Sequence, residues 1–219
     1  MKHVIFIFLF LILATPPLWA KSTSPSLIKK TVTKVNSKAK RVYESPIFDI
    51  TVTPLLGKPQ TLGNYKGKVL LIVNIATKTK NKKQIDDLED LQEDLGRHGL
   101  VVLAFPSNDF GAGTPVSNQA LRKIVTHEYF ISYPVFTKTK LRGKNMHPLF
   151  RYLTSKKTNP KYGGPIAWNF DKFLVNRKGE IIGRFSPSAR PGSDKVLAPI
   201  LEALNLGKRA KKKGPKTRK

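Results

Sequence analysis

Val69-Leu70-Leu71-Ile72-Val73-Asn74-Ile75 is a seven-residue stretch with one polar member, Asn74, and it lies between Gly67 and Ala76. A strand that is apolar on both faces is typical of the centre of a sheet whose two faces are covered. Leucine and isoleucine then recur every three or four residues from about Lys83 to Arg97, which predicts a helix with one buried side. A buried strand followed by a helix indicates an α/β fold.

The rest of the chain continues this alternation of strands and helices. Gly99 to Phe105 repeats the buried-strand pattern. The further predicted elements are a helix at 119–129, an extended piece at 133–137, a short helix at 147–154, strands at 173–176 and 181–185 around a turn, a closing helix at 196–204 and an edge hairpin that begins near residue 47. This order predicts an α/β sandwich around a mixed sheet.

The chain of 219 residues contains no cysteine. The absence of sulfhydryl groups excludes disulfide frameworks, Cys-ligated zinc, iron–sulfur clusters and thiol-based redox chemistry. The histidines after residue 20 are His98, His127 and His147, and none has a histidine or carboxylate at ligand spacing, so neither a metal site nor a cofactor is expected. Apolar residues make up 40% of the chain, which is enough material for one ordinary core.

The basic residues are concentrated in two flanking segments. The chain has 40 Lys and Arg against 14 Asp and Glu, a formal net charge of +26. Seven basic residues lie in 21–44, and eight lie in 207–219, which has no acidic residue. Both segments lack a sustained apolar period, so 21–44 is interpreted as a flexible basic linker and 207–219 as a basic disordered tail. One globular domain is predicted between them, at 45–206.

Residues 1–20 have the pattern of a secretory signal peptide. A positive start at Lys2 is followed by a ten-residue apolar run, Val4 to Leu13, and the segment ends on the small residue Ala20. This pattern predicts cleavage after Ala20 and a periplasmic or secreted protein without a transmembrane span. The apolar run is shorter than the roughly 20 residues of a spanning helix. An uncleaved anchor or a buried strand is the alternative interpretation.

Four blocks of the sequence lie at 65–77, at 99–111, at 133–136 with 148–153, and at 166–175. In this order they resemble the glutathione peroxidase family. Tyr65 to Thr77 is similar to its Y-K-G-K-V-x-L-I-V-N-V-A-S, and Gly99 to Gly111 to its G-L-x-V-L-x-F-P-x-N-Q-F-G. Tyr133 to Phe136, with Pro148 to Leu153, resembles F-P-V-F and P-L-Y-x-Y-L, and Ile166 to Val175 resembles I-x-W-N-F-x-K-F-L-V. The resemblance implies a thioredoxin-like three-layer sandwich, with a central mixed β-sheet flanked by helices.

The resemblance also implies a reaction, the reduction of hydroperoxides at a cysteine or selenocysteine, with glutathione or thioredoxin as reductant. The position of that nucleophile in the family's V-A-S-x-C-G turn is occupied here by Thr79, and the following glycine by Lys80. A hydroxyl group ionises far less readily than a thiol and has no sulfenic acid to form and recycle. We therefore predict that Thr79 is inactive as a nucleophile. Alternatively, Thr79 serves only to cap the helix that follows.

The residues that accompany the nucleophile in the family are partly changed. Asp109 stands where the family has glutamine, and a carboxylate can only accept hydrogen bonds and would repel a thiolate or hydroxide. Trp168 and Asn169 match the family motif and keep their N–H donors. Both also have a purely structural interpretation, in which Trp168 packs on the sheet and Asn169 caps a turn.

Four lysines crowd the loop where the nucleophile would lie: Lys78, Lys80, Lys82 and Lys83. They are interpreted either as a solvated charge run or as an anion-binding site beside a helix start. Acidic residues one turn later, at 86, 87, 89 and 90, weaken the second interpretation because they would neutralise the lysines.

Three functions remain open on the sequence alone. The chain is either an inactive family member that serves as a binding module, an enzyme that uses an unfamiliar residue, or a protein that acts through its basic flanks. In the last case the partner is an anionic lipid or another polyanion, bound through the basic residues of the tail, Lys208, Arg209, Lys211, Lys212 and Lys213. Nucleic acid is not expected as a partner, because no aromatic residues are interleaved with the basic ones.

Overall fold

The computed structural model describes residues 45–207. The strands are β1 Thr51–Val52, β2 Gln60–Thr61, β3 Val69–Ile75, β4 Leu100–Pro106, β5 Lys172–Val175 and β6 Ile181–Phe185. The helices are α1 Lys83–Leu95, α2 Asn118–Lys123, α3 Pro148–Thr154 and α4 Asp194–Ala203. The predicted alternation of strands and helices is thus confirmed.

The central sheet has four strands in the order β4-β3-β5-β6. β3 pairs in parallel with β4, from Val69 opposite Leu100, and antiparallel with β5, where Val73 faces Lys172. β6 extends the sheet antiparallel to β5. The mixed sheet predicted from the sequence is therefore present, and the largely apolar strand β3 lies inside it, as a strand buried on both faces must.

Two apolar clusters cover the two faces of the sheet. Alternate residues of β3 enter one cluster with α1 and α4, and the other residues enter a second cluster with α3. In the second cluster Phe105 stacks on Phe136 with ring centroids 4.4 Å apart, and Phe150 meets Phe105 edge-on at 5.4 Å. Helix, sheet and helix form the three layers that the family resemblance implied.

The structure differs from the sequence prediction at several element boundaries. The edge hairpin predicted from residue 47 is replaced at its start by a 3₁₀ turn, Pro46–Asp49, in which Ile47 and Phe48 are both buried. Consecutive residues of a strand point to opposite faces, so a turn is what lets this pair enter one core. Of the predicted hairpin, β1 and β2 remain as a short antiparallel pair. The helix predicted at 119–129 is shorter, because α2 widens into a π turn, Ile124–Glu128.

Several predictions fall outside the described part of the chain. The signal peptide at 1–20, the linker at 21–44 and all but the first residue of the tail at 207–219 belong to this group, and they stay predictions. Across residues 45–207, no helix has both the length and the apolar character needed to cross a membrane.

Lys172 is fully buried in β5, although it carries an amino group. Its Nζ donates a 2.7 Å hydrogen bond to the carbonyl oxygen of Phe170. Burial lowers the pKa of Lys172 to about 8, and the nearby carboxylates of Asp171 and Asp87 offset only part of that effect. The charged form of this side chain therefore costs folding free energy at neutral pH.

We expect Lys172→Met to change the pH dependence of stability. The folded-state pKa of about 8 lies below the unfolded value of 10.5. The wild-type free energy of unfolding therefore gains a stabilising contribution as the pH rises from about 8 to 10.5. That contribution reaches about 3 kcal/mol, and the Met variant lacks it. Urea unfolding at pH 7.5 and pH 10.5 measures the difference. Loss of the hydrogen bond to Phe170 O lowers the stability of the variant at both pH values. If the stability of the variant changed between pH 7.5 and pH 10.5 as much as that of the wild type, the prediction would be contradicted.

Candidate functional site

Three loops meet at one edge of the sheet and carry all the residues singled out by the family resemblance. They are the segments after β3, after β4 and before β5. Two backbone N–H groups join the first two loops, since Lys78 N donates to Gly113 O at 2.8 Å and Thr77 N donates to the side-chain hydroxyl of Thr114 at 3.4 Å. Because β3 and β4 are parallel and β5 is antiparallel to them, their connecting loops emerge at the same edge.

Thr79 is half-buried in the first loop and acts as a local turn residue. Its Oγ1 accepts a 3.1 Å hydrogen bond from the backbone N–H of Asn81. The proposed alternative, that Thr79 caps the following helix, is wrong in detail, because α1 begins at Lys83 and Lys82 occupies the cap position without a side-chain bond. The hydroxyl holds a tight turn ahead of the helix, as Ser and Thr commonly do.

Asp109 turns its carboxylate toward the loop that follows the extended piece at 133–137. It accepts a 2.7 Å bond from Leu141 N and a 3.0 Å bond from the Nζ of Lys140. Burial by itself raises the pKa of Asp109, but these two bonds and the charges of Lys140 and Arg142 together hold the pKa below its ordinary value. Asp109 is therefore a structural anion, and it is not available as a base at neutral pH.

Trp168 is 49% exposed, so the interpretation that it packs on the sheet is wrong. Its ring lies against Phe110 at a centroid distance of 5.7 Å, and Phe110 in turn lies 4.9 Å from the guanidinium of Arg142. Within residues 45–207 the indole forms no hydrogen bond with a protein group. The indole N–H of Trp168 therefore remains available to an external group, as the family resemblance implied.

Asn169 is buried and bridges two of the loops. Its Nδ2 donates a 3.0 Å hydrogen bond to the carbonyl oxygen of Phe110, while its Oδ1 is buried without a hydrogen-bond partner. The backbone of Phe110 also accepts from Gly113 N, so Asn169 reinforces a turn. This contact agrees with the structural interpretation of Asn169. It also engages one of the two N–H groups of the Asn169 amide, and the atom without a partner, Oδ1, is an acceptor.

Asn74 is a site residue that the sequence analysis did not single out. It is fully buried at the end of β3, where its Nδ2 donates to Trp168 O at 3.1 Å and its Oδ1 accepts from Asp171 N at 2.9 Å. A polar residue buried in an apolar strand must be paired, and Asn74 satisfies this by fixing the loop that carries Trp168 and Asn169. Its interruption of the apolar run was the only available signal.

Asp171 and Arg184 fix the same loop from its other side. Arg184 forms two bonds with the buried carboxylate, Nε to Oδ1 at 3.1 Å and NH2 to Oδ2 at 2.7 Å. It also donates to the backbone carbonyl oxygens of Tyr162, Gly164 and Pro165. Arg184 therefore determines the path of the chain into Trp168.

The lysines of the first loop are exposed, and in the described part of the chain none of the four forms an ion pair. Lys82 lies over the ring of Tyr129, 4.6 Å from its centroid. The acidic residues expected to neutralise the lysines are used elsewhere in two cases, since Asp87 pairs with Arg190 and Glu89 accepts from Ser132 N. The anion-binding and solvated-charge interpretations both remain predictions.

The loops do not form a reaction centre of touching groups. No hydrogen bond connects Thr79 with Asp109, Trp168 or Asn169 in the part of the chain that is described. A cavity of about 190 Å³ lies beside Asp109 and is lined by Asn108, Lys138, Thr139 and Lys140. Between residues 45 and 207 no group of three or more His, Asp or Glu side chains could hold a metal ion.

The fold and the position of the loops define a protein of the thioredoxin-like class. A thioredoxin family thiol:disulfide interchange protein from Chlorobium tepidum superposes with a TM-score of 0.52 at 19% identity, covering 70% of this chain and 92% of the other. At that identity the likeness supports the fold alone. It agrees with the mixed sheet and flanking helices described above.

The chain belongs to the glutathione peroxidase family. The family model described as glutathione peroxidase matches residues 47–154. The glutathione peroxidase homolog BsaA of Bacillus subtilis is 39% identical over 145 residues, which is 66% of this chain and 91% of the relative. The crystal structure of Trgpx in its apo form superposes with a TM-score of 0.58 at 30% identity, covering 74% and 96% of the two chains. The matched range includes Thr79 and Asp109.

Proposed function

We propose that this chain is a glutathione peroxidase family member that has lost peroxidase chemistry and acts by binding. The family's activity is the reduction of hydroperoxides by thiols, with glutathione or thioredoxin as reductant. One observation carries the proposal: Thr79 occupies the nucleophile position, and its hydroxyl oxygen accepts a bond from Asn81 N in a chain that has no cysteine. The reaction needs an atom that can take an oxygen from a peroxide and later be reduced, and an alcohol oxygen cannot do so.

The surroundings of Thr79 also support the loss of activity. A weak nucleophile requires a general base within hydrogen-bond reach. Thr79 has no such partner among the described side chains, and Asp109 is bound to Leu141 and Lys140. Asn169 uses one of its two amide N–H groups on the carbonyl oxygen of Phe110. The side-chain donors of the family motif that could stabilise a leaving hydroxide are thus the Trp168 indole and the second N–H of Asn169, and the family's glutamine amide is missing at Asp109.

We expect the purified full chain to consume no hydrogen peroxide or organic hydroperoxide above the uncatalysed rate, with either glutathione or thioredoxin present. The assay follows reductant oxidation at equal protein concentrations of the wild type and Thr79→Ala. Equal, background rates for both proteins support the proposal. Turnover by the wild type that disappears in Thr79→Ala would show instead that the alcohol, or a group placed by it, performs the chemistry.

A second candidate function is binding to an anionic surface after export. The signal-peptide pattern of residues 1–20 and the basic character of residues 21–44 and 207–219 favour it. Each basic residue near a negative surface contributes on the order of 1 kcal/mol, and salt screens that attraction. Sedimentation with vesicles that contain phosphatidylglycerol should fall with added salt and with deletion of 207–219. Salt-insensitive binding would contradict this candidate.

A further inference from the structure

An apolar groove lies between α1 and α4, on the face of the sheet opposite α3. It has a volume of about 340 Å³. Its apolar lining is formed by four leucines, Leu91, Leu95, Leu197 and Leu201. Its remaining lining is Gly192 and three aspartates of α1, Asp87, Asp90 and Asp94. The groove is thus a strip of leucine side chains with a row of carboxylates along one rim.

The acidic rim contrasts with the charge of the rest of the chain. The net charge is +26, yet six of the 14 acidic residues lie in α1 alone. Arg190 pairs with Asp87 through bonds from Nε at 2.9 Å and NH2 at 2.5 Å. Asp90 and Asp94 are exposed and have no ion-pair partner between residues 45 and 207. Two carboxylates of the groove therefore form no ion pair among the described residues, while the third, Asp87, is paired with Arg190.

The chain leaves the described region next to this groove. α4 ends at Ala203, and Leu206 N donates a 2.8 Å bond to the carbonyl oxygen of Leu201, which lines the groove. Twelve residues follow, Lys208 to Lys219, with eight basic side chains and no acidic one. Extended, they span about 40 Å, whereas the rise from Asp87 to Asp94 along a helix is about 10 Å. The tail is long enough to return along the groove.

We propose that the chain's own segment Lys208–Lys219 binds in the groove between α1 and α4. The methylene stems of lysine and arginine cover the leucines, and their charged ends reach Asp90 and Asp94. A tethered segment acts at an effective concentration in the millimolar range, which favours it over a segment from another molecule. The large positive charge on each copy also opposes the approach of a second chain. The inference is independent of the lost peroxidase chemistry.

The absence of cysteine allows a direct test with the full chain. Thr217→Cys introduces a unique thiol near the tail end without removing a basic residue, and a nitroxide label on it broadens nearby methyl signals. We expect the methyl signals of Leu91, Leu197 and Leu201 to lose intensity at low salt, while those of Leu149, in α3, do not. At about 1 M salt the Debye length falls to roughly 3 Å, and the broadening should disappear.

Charge reversal distinguishes the groove from general attraction. Asp90→Lys with Asp94→Lys should reduce the broadening at the three leucines by roughly fivefold, because two attractions become repulsions. The control pair, Glu93→Lys with Asp49→Lys, changes the net charge equally at exposed positions outside the groove lining and should leave the broadening unchanged. Unchanged broadening in the Asp90/Asp94 variant, or an equal loss in the control pair, would overturn the proposal.

A mixing experiment identifies the source of the bound segment. Isotope-labelled chain without the nitroxide is mixed with unlabelled chain that carries it. Methyl signals of full intensity in the mixture, with broadening retained when both labels are in one molecule, support binding within the chain. Broadening in the mixture would show that a second copy occupies the groove, and it would overturn the proposal.

Discussion

Thr79→Cys is expected to create a thiol that reacts with hydrogen peroxide about tenfold faster than an ordinary exposed thiol. A free cysteine has a pKa of about 8.5, and lowering it by about one unit raises the thiolate fraction at pH 7 nearly tenfold. Position 79 lies between the exposed residues Lys78 and Lys80 and precedes the start of α1, and both features favour an anion. Trapping of the sulfenic acid with a dimedone probe, followed by mass spectrometry, measures the reaction.

The matched control for this variant is Ser132→Cys. Ser132 is exposed, whereas Thr79 is half-buried, and the backbone N–H of Ser132 donates to the carboxylate of Glu89, so a thiol there meets a negative neighbour. The two variants therefore compare the same atom beside lysines and beside a carboxylate. Equal reaction rates would show that the lysine-rich loop does not activate a thiol.

Asp109→Gln added to Thr79→Cys tests whether the missing amide at position 109 also limits the reaction with peroxide. Glutamine restores an amide donor where the carboxylate of Asp109 can only accept. We expect the double variant to react with peroxide faster than Thr79→Cys alone. Asp109→Asn in place of Asp109→Gln keeps an acceptor for Leu141 N but has a shorter side chain than glutamine, so it should raise the rate less. No trapped sulfenic acid in any of these proteins would mean that the loops no longer form a peroxide-accessible pocket.

Arg184→Leu is expected to lower the free energy of unfolding by about 3–5 kcal/mol, the usual cost of leaving a buried carboxylate without its partner. The side chain of Asp171 is 2% exposed, and Arg184 supplies both of its bonds to a charged group. Three backbone carbonyls at 162, 164 and 165 also lose their donor. Urea denaturation followed by tryptophan fluorescence measures the loss.

Two further variants separate the buried charge from general packing. Arg190→Leu removes another Arg–Asp pair, whose arginine side chain is 54% exposed, and it should cost clearly less. Arg184→Leu combined with Asp171→Leu removes both charges, so part of the stability should return. A double variant as unstable as the sum of its single changes would indicate that the carboxylate was not the source of the cost.

The sequence predicted most elements because their signals were local. The six apolar residues of β3 and the leucine period of α1 each specify one element without reference to distant residues. The predicted helix extended to Arg97, whereas α1 ends at Leu95 and a 3₁₀ turn continues to His98. Gly99, with φ of +100°, ends that turn, and the transition between helix types left no mark in the apolar pattern.

Within the candidate site, the sequence identified residues but not their partners. The family motif indicated Asp109, Trp168 and Asn169, but no pattern indicated that Asp109 would bind Leu141, 32 residues later. Asn74 is separated from Trp168 and Asp171 by more than 90 residues, and its two side-chain bonds arise only when β3 and β5 pair. Contacts of this kind depend on the strand order, which a single sequence does not state.

The sequence alone determined that this protein has no thiol chemistry. Without a cysteine there is no thiolate to oxidise, whatever the fold, because the reacting atom is missing. Only the tertiary structure decided what the remaining residues do: Thr79 holds a turn, Asp109 is a bound anion, and Asn74 and Arg184 fix the loop that exposes Trp168. The physical reason is that a side chain's role depends on the groups that surround it after burial, and those come from distant parts of the chain.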